Sequence, residues 1–70
     1  LAQVLGLLGD LRRQRGEPAL ATAAHREAVE LLGAGAAPVL RARLQIALGT
    51  DQAAAGDHAA AVATYAAALA

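Results

Sequence analysis

The side chains best suited to acid–base or metal chemistry in this chain are two imidazoles, His25 and His58, which stand 33 residues apart. Metal binding on a helix needs imidazoles, thiolates or carboxylates brought to one face at i, i+4 spacing. The chain has no cysteine and neither histidine has a second one at that spacing. A covalent mechanism would need a nucleophile from Thr22, Thr50, Thr64 or Tyr65, since serine is absent, and no acidic residue is spaced from either histidine in a triad pattern. Gly33-Ala34-Gly35 is glycine-rich but lacks the Lys-Ser/Thr pair and the third spaced glycine of a phosphate loop. The one charge cluster, Arg12-Arg13-x-Arg15, reads as a solvated last helical turn that complements the dipole, with contact to phosphate or an acidic peptide the lesser reading. These residues therefore predict no catalytic group, no metal site and no cofactor, and the chain is not expected to be an enzyme.

Composition narrows the partners. Six Lys+Arg balance six Asp+Glu, so no net field draws the chain to nucleic acid or to an anionic membrane surface. The apolar runs are interrupted well short of the ~18 residues that a spanning helix needs, so no membrane segment is expected. The lack of cysteine fits a reducing cytoplasm. Every basic residue is arginine and alanine dominates, a coding bias of GC-rich bacterial type. The absence of an initiator Met suggests a piece excised from a longer protein.

The elements that position these residues follow from punctuation. Between glycines and prolines the chain is rich in Ala and Leu, which predicts helices near 1 to 15, 18 to 32, 38 to 55 and 58 to 70. In the first helix, Leu1, Val4, Leu5, Leu8 and Leu11 recur every three or four residues and predict one buried stripe. Gly16 ends that helix, and Glu17-Pro18 opens the second, whose expected inner face is Leu20, Ala21, Ala24, Ala28, Leu31 and Leu32. Residues 33 to 38 form a connector. Leu40, Leu44, Ala47 and Leu48 repeat the apolar spacing in the third helix; Gly56-Asp57 then restates the first turn with a better N-cap residue. Val62, Tyr65, Ala66 and Leu69 share a face of the last helix, part of which is expected to be exposed.

The two halves are related by an offset of forty residues. It superposes Leu8-Gly9 on Leu48-Gly49, Gly16 on Gly56, Ala21 on Ala61, His25 on Tyr65 and Ala28 on Ala68. On these residues, Leu8, Gly9, Gly16, Ala21, His25, Ala28 and their counterparts, the chain resembles the tetratricopeptide repeat family over nearly its whole length. It is closest to the longer, forty-residue variety found in bacterial regulatory proteins. The resemblance implies an all-α fold of two stacked helix-turn-helix repeats, a right-handed α-solenoid fragment forming a single domain over 1 to 70, with repeat one at 1–35 and repeat two at 38–70. A simple four-helix bundle would explain the composition but not the offset. Small residues at Gly9, Gly49, Ala21 and Ala61 would let paired helices approach closely. Leu8, Gly9, Ala21, Ala28, Leu48, Ala61 and Ala68 are expected to be buried, and His25 would take a structural place in a slot the family fills with an aromatic ring. His58 is expected exposed in a first turn. Arg12, Gln45 and Gln52 stand where the family places larger apolar or aromatic residues, which implies thinner packing.

By the same resemblance, the chain is expected to act as a protein-interaction scaffold within a larger signalling or transcription-control protein. A peptide or helix would lie in a concave groove lined by the first helix of each pair. The positions implied are Gln3, Asp10, Arg13 and Gln14 in the first repeat and Arg43, Ile46 and Thr50 in the second. The partners expected are a protein or peptide, or neighbouring repeats of the parent chain. Self-association into a homo-oligomer, with no foreign ligand, is the alternative reading. Gly6 and Asp10 occupy positions where the chaperone-binding subclass carries carboxylate-gripping residues, which disfavours a chaperone adaptor.

Overall fold

The computed structural model describes residues 1–33 and 37–69. Among them there are four helices, α1 (Ala2–Gln14), α2 (Pro18–Leu32), α3 (Pro38–Ala54) and α4 (His58–Leu69), within a residue of the bounds that the punctuation predicts. The expected connector lies partly outside the described residues, at 34–36, as does Ala70 at the end of the chain.

Both hairpin turns are built alike. Gly16 and Gly56 adopt φ of +78° and +87°, a left-handed conformation that glycine takes without Cβ strain. The amide of Gly16 donates to the Arg13 carbonyl and that of Glu17 to Arg12, at 3.0 and 2.9 Å; Gly56 donates to Ala53 and Asp57 to Gln52 at the same two distances. This double bond pattern satisfies carbonyls that the helix end leaves without partners. Asp57 then caps α4, accepting at Oδ1 from the amide of Ala60 at 3.2 Å, while α2 begins with Pro18 in its first turn.

Each helix packs on the next in sequence, and α1 also reaches α3. A close approach within the first hairpin is at Gly9, where a methyl group would lie 2.5 Å from Nε2 of His25. In the second hairpin it is at Gly49, where a methyl would lie 2.7 Å from Cε1 of Tyr65. A ring seated on a glycine forty residues apart is the relation that the offset implies. Gly9, Ala21, Ala28, Leu48 and Ala61 are buried as expected, as are Ala24 and Leu44 of the expected inner faces.

The leucine stripe is placed otherwise. Leu8 is 37% exposed, Val4 62% and Leu11 46%, and Leu1 is exposed as well; α1 instead buries Ala2, Gly6 and Gly9. Leu20 and Leu31 of α2 are also exposed, and Ala68 is only half-buried. The periodicity is correct but its phase is rotated, because the close α1–α2 contact selects the smallest side chains of α1. Leu5 of the expected stripe is partly buried and packs against the core, while Leu1, Val4, Leu8 and Leu11 are left toward the flank.

Candidate functional site

A polar network crosses the junction between the two hairpins. His25 of α2 and Asp51 of α3 are both fully buried and bonded to each other, Nδ1 facing Oδ2. On the ring's other side, Nε2 lies 3.1 Å from the Gly6 carbonyl and 3.1 Å from Oδ1 of Asp10, both in α1. Arg13 completes the set, donating from one terminal nitrogen to Oδ1 of Asp51 at 3.1 Å and to the Ala47 carbonyl at 3.4 Å. Its other terminal nitrogen is 3.6 Å from Asp10.

Only oxygen acceptors face the two ring nitrogens when the carboxylates are ionised. The Arg13 guanidinium sets its charge against that of the buried Asp51 carboxylate. Buried charges are tolerated when they are paired and hydrogen-bonded. Both ring nitrogens are engaged by groups of α1 and α3, so the arrangement ties α1, α2 and α3 together.

Sequence reasoning placed His25 in a structural slot and missed its partners. Asp51 lies 26 positions away along the chain, and only the fold brings it to the ring. Arg13 corrects the reading of the arginine cluster: its side chain turns inward to Asp51, whereas Arg15 stays exposed and Arg12 half-buried. His58 is exposed in the first turn of α4.

Beside the network lies an open groove of about 400 Å³ between α1 and α3, lined by Gln3, Gly6, Leu7, Asp10, His25, Leu40, Arg43, Leu44 and Ala47. Gly6 makes room for Leu44, whose Cδ2 would be 2.8 Å from a methyl at that position. Of the seven positions implied by the family groove, Gln3, Asp10 and Arg43 line this depression. Arg13 is spent on Asp51, and Gln14 and Ile46 are exposed outside the lining. Thr50 donates to the Ile46 carbonyl at 2.9 Å and shares a 3.0 Å hydrogen bond with the Tyr65 hydroxyl. Gln52, read as a weak point of the second repeat, is buried and accepts from the Thr64 hydroxyl at 2.6 Å. Among the described residues no group of three or more His, Cys, Asp or Glu side chains is arranged to hold a metal ion, and no helix is long and apolar enough to cross a membrane. Compared with known protein families, curated proteins and solved structures, the chain matches none.

Proposed function

We propose that this chain is a non-enzymatic protein-recognition scaffold of tetratricopeptide-like build, two hairpins stacked as a right-handed solenoid fragment that receives an extended peptide between α1 and α3. The groove itself carries the reading: it is open and has an apolar floor at Leu7, Leu40 and Leu44, with Gln3, Asp10 and Arg43 as polar groups around it. Recognition sites of this type combine apolar contact area with a few convergent polar groups that fix orientation. Arg43 is exposed and forms no ion pair among the described residues, so it is free to meet a partner's carboxylate. The His25 network beneath holds both walls at fixed separation, since its members come from α1, α2 and α3.

Panning a library of random linear peptides against the chain, followed by titration of the selected sequences with amide-shift mapping, tests this. Perturbation centred on Gln3, Leu7, Asp10 and Arg43, with affinity reduced at least tenfold by Arg43→Glu, is the expected result. Failure to select any peptide, or shifts confined to the outer faces of α2 and α4, would overturn it.

A further inference from the structure

The forty-residue relation between the hairpins, laid over the pattern of exposure, gives the internal junction two counterparts that no described residue covers fully. At that junction α3 presents Leu44, Leu48 and Asp51, all buried. Leu44 packs in one cluster with Ala28, and Asp51 bonds His25. Forty residues earlier, the same face of α1 carries Val4, Leu8 and Leu11, and all three are exposed. The α2 side of the junction uses His25, Ala28 and Val29. Their counterparts on α4 are Tyr65 and Ala68, half-buried, and Leu69, which is 87% exposed.

The residue types at these two free faces match each other. Inside the chain a polar ring, His25, meets an acid, Asp51, with Arg13 bracing it. At the free faces all three positions change together: the ring is Tyr65, the residue forty before Asp51 is Leu11, and the residue forty after Arg13 is Ala53. Tyr65 has its hydroxyl turned to Thr50, as His25 has Nε2 turned to Asp10, so its remaining ring surface is apolar and suits a leucine. A crossed pairing would put Leu11 against the buried nitrogens of His25, or Asp51 against an apolar face, and both leave polar groups unpaired.

We infer that a second copy of this chain docks head to tail, its Val4, Leu8 and Leu11 face seated on Tyr65, Ala68 and Leu69 as α3 seats on α2. The contact uses different patches on the two molecules, so a pair keeps one free face at each end and a third copy can add there. This inference goes beyond the recognition reading and does not rest on it, because the groove lies on neither end face.

The test uses two single-site variants of the full 70-residue chain, Leu11→Arg at the head and Leu69→Arg at the tail, compared by sedimentation equilibrium. Both side chains are exposed, and far-ultraviolet circular dichroism checks that helix content is kept; Leu8→Arg serves as a second head variant. For the unmodified chain the average mass is expected to climb with concentration past that of two chains. Each variant alone should stay monomeric, and mixing head and tail variants should restore a species of two chains and no larger. A monomer at every concentration, a closed two-chain plateau for the unmodified chain, or a mixture that stays monomeric would overturn the inference.

Discussion

His25 and Asp51, one in each hairpin, form a buried hydrogen-bonded contact across the α2–α3 junction, and each is tied to the rest of the molecule by its second polar atom. Asp51 also receives Arg13, and His25 also faces Asp10. Removing Asp51 therefore takes the Nδ1 partner from the buried His25 ring and the anionic partner at 3.1 Å from Arg13.

Replacing Asp51 by Ala is expected to lower stability by about 3 to 5 kcal/mol, the usual consequence of breaking a buried charged pair from one side. For a domain of this size that loss is comparable with the whole net stability, so urea titration should find Asp51→Ala largely unfolded. The combined change His25→Tyr, Asp51→Leu and Arg13→Ala copies the residues at positions 65, 11 and 53, and should recover most of the loss because the interacting groups leave together.

Methyl groups added at the two ring-bearing glycines should differ in effect. At Gly9 the ring is held at both nitrogens and cannot retreat, so Gly9→Ala is expected to cost about 1 to 3 kcal/mol through overpacking. At Gly49 the Tyr65 ring is half-buried and anchored only through its hydroxyl. There the ring can shift, and the helix-propensity gain of roughly 1 kcal/mol should offset much of the clash. Equal melting temperatures for the two variants, measured at one protein concentration, would contradict the idea that the network pins His25.

Arg13 and Arg43 should separate cleanly. Although both were implied groove residues, Arg13 has a buried anionic partner in Asp51, so Arg13→Ala should lower the melting temperature by several degrees or more. Arg43→Ala removes an exposed charge without an ion pair among the described residues and should leave the melting temperature within about 0.5 kcal/mol of unchanged stability. Its effect should appear only when a groove-bound peptide is titrated.

The second hairpin depends on neutral hydrogen bonds, and smaller losses are expected there. Thr64→Val removes the hydroxyl that Gln52 accepts and should destabilise by about 1 to 3 kcal/mol, since the Gln52 side chain is buried. Tyr65→Phe removes only the half-buried bond to Thr50 and should cost about 0.5 to 1.5 kcal/mol. Chemical denaturation of the two variants, side by side, checks the order.

Helix bounds were legible in the sequence because they depend on local chemistry: Gly16, Gly56, Pro18, Pro38 and Asp57 each act within a few residues. The ring-on-glycine contacts were legible through the offset, which pairs Gly9 with Gly49 and His25 with Tyr65. The phase of the α1 stripe was legible only in part: periodicity groups Leu1, Val4, Leu5, Leu8 and Leu11 on one face, of which Leu5 packs against the core, but does not show that the Ala2, Gly6, Gly9 face is the one buried. The His25 network was not legible. Asp10, Arg13 and Asp51 look like ordinary surface charges until α1, α2 and α3 are brought together, and an acidic residue 26 positions from a histidine carries no local mark.

The exchange of sizes in α1, glycine and alanine inside with leucine and valine outside, has a calorimetric consequence. Heat capacity rises on unfolding mainly because apolar groups become hydrated, and it averages about 12–15 cal/mol/K per residue for proteins that hide their large side chains. Here Val4, Leu8, Leu11, Leu20, Leu31, Val62 and Leu69 already meet water in the folded state. The increment for a single dissociated chain should thus fall below that average, giving a shallow temperature–stability curve, whereas an assembled chain should show a larger increment as Val4, Leu8, Leu11 and Leu69 lose their cover.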